Sequence, residues 1–282
     1  MTLLNAFTLR FLLGLISIFL LAAPVQAQLP PVYVLEWGGF SDPVAIDASQ
    51  AGNIFILDGG CQCVKKFDGD GQPLAQWGSA GTASGQFVDA ADLTVDGKER
   101  VYVVDRGLER IQVFSSQGDF LGMWGQAGSE NGEFENARSV DVDGDGVIYV
   151  LDGQDVRVQK FQQDGTFVSS WLPNLAPGGS SPFSVSQRIG LAPIVPTFIT
   201  YIGANGSGVL RVDHDGGLMG AVLAPELGTP PFLEAFGVDA NGTGSAFITD
   251  IGYHRVAQVD LQGKIIASWG SQGNGACPSS TK

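Results

Sequence analysis

The sequence predicts an all-β protein, a β-propeller built from four-stranded antiparallel blades. Three tryptophans, Trp77, Trp124 and Trp171, follow one another at a spacing of 47 residues. The segment 77–87 has the pattern Trp-Gly followed later by Gly-x-Phe, and the segment 124–134 repeats it. A constant period of this length indicates one supersecondary unit copied along the chain. Short β-rich runs separated by turns within each copy indicate propeller blades.

The first 27 residues are predicted to be a cleaved signal peptide, and residues 28–282 a single propeller domain. Arg10 is the only charged residue before the predicted cleavage site, and the apolar run 11–23 is too short for a stable membrane anchor. An uncleaved anchor helix is the alternative. The mature chain is therefore expected to be secreted or periplasmic, with no membrane span.

Each repeat contains four short β-rich runs. The second run is apolar on both faces, which is typical of a strand buried between packed sheets. Its copies are 54–58, 101–105, 148–152 and 246–250. The third run alternates polar and apolar residues, so it is expected to be half-exposed. The fourth run leads into the tryptophan.

Five repeats can be counted, at 43–77, 87–124, 134–171, 182–223 and 232–269. The fourth is degenerate, and its strands are predicted at 198–201, 209–213 and 218–223. One more strand, Val32–Trp37, precedes the first repeat and would either close the ring or remain from a sixth blade. The predicted propeller therefore has five or six blades.

Residues 250–256, Asp-Ile-Gly-Tyr-His-Arg-Val, and the Trp-Gly linkers are similar to the NHL repeat. In that family an aspartate ends the second strand and an arginine opens the third. The resemblance implies a propeller, usually with six blades. It covers proteins that bind protein, proteins that bind RNA, and amidating lyases, so it does not assign an activity.

Antiparallel order places the linkers and the loops between second and third strands on one rim, which we call the linker rim. The candidate ligand-binding residues there are Asp105, Arg106, Arg110, Asp152, Arg157, Tyr253, His254 and Arg255. The alternative is that each aspartate binds its own loop and the arginine five residues later, as a structural pair.

Residues 141–146, Asp-Val-Asp-Gly-Asp-Gly, match the opening of a calcium loop, with Asp141, Asp143 and Asp145 as the predicted ligands. An ordinary Asp-Gly hairpin turn is the alternative. No other cofactor is expected.

The three cysteines are Cys61, Cys63 and Cys277. A bridge between the first two would close a small strained ring, so Cys277 is expected to bridge to one of them. Three cysteines and two histidines give no recognised zinc spacing.

The composition favours binding over catalysis. The formal net charge of −14 opposes contact with nucleic acid. With two histidines and no Gly-x-Ser-x-Gly elbow, the chain lacks the usual catalytic groups. We therefore expect a monomeric binding or scaffold module for a protein, a peptide or a small polar ligand. The alternative is a metal-dependent hydrolase or lyase, similar to lactonases or amidating lyases.

Overall fold

The protein is a five-bladed β-propeller. The computed structural model describes residues 38–152, 157–172, 183–191, 197–203, 206–222, 231–240 and 245–270. Its strands form five separate sheets, each with four antiparallel strands in sequence order. The blade number therefore resolves to five, and the predicted N-terminal strand Val32–Trp37 lies outside the described residues.

The strands of the five blades follow the predicted repeats. Blade 1 contains β1 Pro43–Ala48, β2 Ile54–Asp58, β3 Cys63–Phe67 and β4 Pro73–Trp77. Blade 2 contains β5 Ala90–Val95, β6 Val101–Asp105, β7 Arg110–Phe114 and β8 Phe120–Trp124. Blade 3 contains β9 Ser139–Val142, β10 Ile148–Asp152, β11 Arg157–Phe161 and β12 Phe167–Trp171. Blade 4 contains β13 Phe183–Leu191, β14 Thr197–Gly203, β15 Gly206–Val212 and β16 Leu218–Ala221. Blade 5 contains β17 Ala235–Ala240, β18 Ser245–Asp250, β19 Arg255–Asp260 and β20 Ile265–Trp269.

The first strand of each blade lies innermost, because β1, β5, β9, β13 and β17 pack against their neighbours in turn. Within the described residues the only helical element is a 3₁₀ turn, Arg106–Leu108, and no helix there could cross a membrane.

Hydrophobic cores lie between successive blades. The core between blades 1 and 2 contains Phe55 and Leu57 from one side and Phe114 from the other. Phe87, the last residue of the repeated linker, is fully buried in this core. Phe134 has the same place between blades 2 and 3. The linker phenylalanine therefore connects each blade to the core that follows it.

Each of the repeated tryptophans Trp77 and Trp124 packs against a glycine of the next blade. A Cβ atom added to Gly118 would lie 2.8 Å from the Trp77 ring, and one added to Gly165 would lie 2.9 Å from the Trp124 ring. Both glycines have positive φ angles, +91° and +86°. Glycine therefore allows both the turn conformation and the close approach of the indole.

Two strand predictions were wrong. The third strands of blades 1 to 3 are mostly buried, and β7 is buried along its whole length because the linker covers its polar side chains. Gln112, for example, accepts from Gly85 N at 2.8 Å and donates to Gln86 O at 2.7 Å. In blade 4 the sequence also missed the nine-residue strand β13.

Candidate functional site

The aspartates and arginines predicted at the linker rim are joined to each other. The ion-pair distances are 3.0 Å for Arg110–Asp105, 2.5 Å for Arg157–Asp152 and 3.4 Å for Arg255–Asp250. All three aspartate side chains are buried, which requires a compensating partner of this kind.

These side chains also hold the linker backbone. The second oxygen of Asp105 accepts from Val88 N at 3.0 Å, and that of Asp152 accepts from Glu135 N at 2.9 Å. Arg110 donates to Gln86 O at 2.9 Å, and Arg157 donates to Glu133 O at 3.0 Å. These arginines and aspartates therefore fasten each linker to its blade. Arg106, outside this arrangement, pairs with Asp89 at 2.7 Å on the surface.

Blade 5 keeps the Arg255–Asp250 pair, but it also exposes large apolar side chains in its linker and in the loop between β18 and β19. Leu233 is 53% exposed, Ile251 47% and Tyr253 39%. Leu233 lies against the loop that carries the other two, because a Cβ added to Gly252, between Ile251 and Tyr253, would touch Leu233 at 2.7 Å. We call Leu233, Ile251 and Tyr253 the blade-5 apolar patch.

Charged and polar groups border this patch. The Arg255 guanidinium lies 4.9 Å from the centre of the Tyr253 ring, in a cation–π arrangement. His254 is exposed beside it. A cavity of about 320 Å³ adjoins the loop, lined by Thr249, Asp250, Ile251, His254, Arg255, Val256, Trp269 and Gly270.

His254 has a backbone conformation that recurs in blades 1 and 2, but its side chain does not make the same contact with the next blade. Gln62, Glu109 and His254 share a left-handed backbone, with φ of 52°, 50° and 51°. Gln62 Oε1 accepts from Ala90 N of blade 2 at 3.0 Å, and Glu109 accepts from Ala137 N at 3.0 Å. Pro43 of blade 1 is equivalent to Ala90 of blade 2, because each is the strand partner of the repeated aspartate of its blade. Proline has no N–H to donate, so His254 cannot repeat this contact with it.

Blade 1 replaces the arginine with other chemistry. Cys63 stands at the arginine position, and Asp58 instead pairs with Lys65 at 2.7 Å. Burial would raise the pKa of Asp58, but Lys65 and the backbone N–H groups of Ser41 and Asp42 outweigh it and lower that pKa to about 2.

The sulphur atoms of Cys61 and Cys63 lie within bonding distance. The expectation that these two would not pair was wrong, because the loop brings both side chains to the same side; Cys277 lies outside the described residues.

A second group of residues lines the central channel at the opposite rim. Asp47, Thr94 and Asp141 stand on the inner strands of blades 1, 2 and 3, at the repeat spacing. The Thr94 hydroxyl lies 3.2 Å from a carboxylate oxygen of Asp47 and 3.2 Å from one of Asp141. Asp239 of blade 5 borders the same cavity of about 720 Å³.

These channel carboxyls resist ionisation. Burial raises the pKa of Asp47 to about 6 against the opposing effect of hydrogen bonds from Val95 N and Ala48 N, and the nearby Asp239 raises it further. The pKa of Asp141 is raised well above its usual value by burial and by Asp47 and Asp239. Burial also raises the pKa of Asp239.

The predicted calcium ligands face different environments. Asp141 accepts from Leu191 N at 2.7 Å in the channel. Asp143 accepts from Asp145 N at 3.0 Å and from Val147 N at 2.9 Å, as a side chain capping a hairpin turn does. Among the described residues, no three His, Cys, Asp or Glu side chains form a group suited to a metal ion. Calcium binding at these aspartates stays a prediction.

Asp47, Thr94 and Asp239 are site residues that the sequence did not predict. The signal was present, since the first two share the repeat spacing with Asp141. The spacing alone does not show that the first strands surround one channel, which is what brings these side chains together.

Comparison with known proteins identifies the fold. No protein-family model matches the sequence, and no curated protein matches it either. Among solved structures, virginiamycin B lyase from Staphylococcus aureus is 13% identical, with a TM-score of 0.58 over 81% of this chain and 70% of that chain. The chain shares the fold of a β-propeller protein.

Two further structures agree. The nidogen/laminin complex gives 14% identity and a TM-score of 0.58, over 81% of this chain and 80% of that chain. A protein of unknown function from Bacteroides caccae gives 14% identity and a TM-score of 0.57, over 81% of each chain. At these identities the likeness concerns the fold alone.

Proposed function

We propose that this chain is an exported, monomeric propeller of the NHL type that binds a protein or peptide at the linker rim of blade 5. The observation that carries the proposal is the blade-5 apolar patch beside a cavity of about 320 Å³. Contiguous exposed apolar side chains bordered by polar groups are typical of interaction sites. The similarity to a structure of nidogen with laminin supports a binding role for such a fold.

The chemistry of the patch suggests what the partner offers. Tyr253 and Arg255 belong to the residue types that contribute most to protein interfaces. The cavity could accept one apolar side chain, while His254 and Arg255 could meet carbonyl or carboxylate oxygens of the same segment. A peptide that carries an apolar residue next to an acidic one would fit both.

The test uses a library of random peptides selected on the immobilised protein. Enriched peptides should contain apolar residues, and the substitution Tyr253→Ser should weaken their binding about tenfold or more. Leu121→Ser is the matched control, because Leu121 is 54% exposed on the outer strand of blade 2, away from the patch. Equal binding by both variants, with unchanged melting temperatures, would refute this location.

The metal-dependent hydrolase or lyase is distinguished by metal analysis of the purified protein. A stoichiometric divalent ion, whose removal abolishes hydrolysis of lactones and whose return restores it, would overturn the binding proposal. Binding of selected peptides that persists in a chelator would support it.

A further inference from the structure

The loop between β2 and β3 in blade 1 is closed differently from its counterparts. In blades 2, 3 and 5 an arginine at the start of the third strand pairs with the buried aspartate that ends the second strand. In blade 1 that position is Cys63, whose sulphur lies within bonding distance of Cys61. A cysteine pair therefore takes the place of an arginine at the end of this one loop.

The residue enclosed by the two cysteines connects blade 1 to blade 2. Gln62 Oε1 accepts from the buried Ala90 N at 3.0 Å, and Gln62 Nε2 donates to Gly59 O at 2.8 Å. Gln62 has a φ of 52°, a left-handed conformation that residues other than glycine seldom adopt. The disulfide between Cys61 and Cys63 closes a covalent ring that contains Gln62, and this ring reduces the number of other backbone conformations open to Gln62.

The linker to blade 2 rests on the same loop. A Cβ added to Gly78 would lie 3.0 Å from Gln62 O and 3.2 Å from Cys63 Cα. A change in the backbone of this loop would therefore disturb both the Ala90 contact and the linker.

The two cysteines differ in exposure. Cys61 is partly exposed at the linker rim, whereas Cys63 is 1% exposed. An external thiolate can thus approach Cys61, and Cys63 is the leaving group.

We propose that Cys61 and Cys63 form a redox-sensitive clamp, whose disulfide holds Gln62 against blade 2 and whose reduction by a dithiol loosens this junction. One thiolate of the dithiol attacks Cys61 Sγ, the disulfide breaks, and Cys63 departs as a thiolate that takes up a proton. The second thiolate of the dithiol then attacks the first dithiol sulphur, which is bonded to Cys61 Sγ in the mixed disulfide. Cys61 is released and protonated, and the dithiol becomes a disulfide, so two electrons pass to the protein.

Hydrogen exchange at two equivalent amides tests the clamp. Ala90 N is held by Gln62 between the cysteines, and Ala137 N is held by Glu109, which has no cysteine beside it. In the full mature chain carrying Cys277→Ser, dithiothreitol should speed exchange at Ala90 about tenfold, as expected for the loss of one hydrogen bond. Exchange at Ala137 should stay within about twofold.

A second variant separates redox chemistry from simple damage. The double substitution Cys61→Ser with Cys63→Ser should show the fast Ala90 exchange without reductant and no further response to dithiothreitol. Unchanged Ala90 exchange on reduction would overturn the proposal, as would two free thiols in the protein before any reductant is added. Equal acceleration at Ala90 and Ala137 would also overturn it, since the effect would then be global.

Discussion

Asp58 and Asp47 belong to the same blade, yet their neighbours give them opposite acidities. Asp58 faces Lys65 and two backbone N–H groups, and its pKa falls to about 2. Asp47 lies in the channel with Asp239 nearby, and burial raises its pKa to about 6. The difference arises from whether the fold supplies a cation to the buried carboxylate.

The arginine of a buried pair is expected to be essential for stability. Arg110→Met leaves the buried Asp105 carboxylate without its guanidinium, so the free energy of unfolding should fall by about 3 kcal/mol or more. Urea unfolding at pH 7 measures this change. Arg106→Met is the control, because the Arg106–Asp89 pair is exposed, and the expected change is below about 0.5 kcal/mol. Similar losses in both variants would show that the buried pair has no special role.

Sequence could predict the aspartate–arginine pairs because both members come from one hairpin and recur with the repeat. It could not predict which side chains share the channel, since Asp47, Thr94 and Asp141 come from three blades. It also missed the proximity of Cys61 and Cys63, because the left-handed conformation of Gln62 between them has no signal in the sequence.

At the scale of a strand or turn, glycine positions determine how blades approach each other. Gly118→Ala should lower the free energy of unfolding by about 1–3 kcal/mol, because alanine must adopt a φ of +91° and its Cβ would lie 2.8 Å from the Trp77 ring. The midpoint of urea unfolding measures the effect. Gly122→Ala, on outer strand β8, meets no atom within 4 Å and should be almost neutral. If the two variants unfolded alike, the indole contact would not limit this turn.

Strand predictions succeeded or failed according to what covers each strand. The second strands were recognised because apolar residues cover both of their faces. The third strands of blades 1 to 3 alternate in polarity but are mostly buried, since side chains such as Gln112 satisfy their hydrogen bonds with the linker. In blade 4 the tryptophan–glycine signal is lost, and the first strand β13 was missed with it.

For the whole molecule, the channel brings together carboxyls that lie far apart in the chain. Asp47, Asp141 and Asp239 come from blades 1, 3 and 5, and each has a raised pKa. In mildly acid solution the folded state therefore holds protons that the unfolded chain has already released. Their shared position in one ring makes the stability of the propeller depend on pH.

Stability should fall as the pH rises from about 4.5 to 7. The folded pKa of Asp47 is about 6 and its ordinary value is 3.8, so the folded state binds more protons in this interval and loses stability as they leave. The low pKa of Asp58 acts in the opposite direction, but only at more acid pH. The free energy of unfolding measured in urea should decline across this range. In Asp47→Asn this decline should be smaller by about 2 kcal/mol. Because asparagine keeps an oxygen to accept from Val95 N, the variant should still fold. The raised pKa of Asp47 would be contradicted if the stability of the wild type rose towards pH 7. It would also be contradicted if Asp47→Asn had the same pH profile as the wild type.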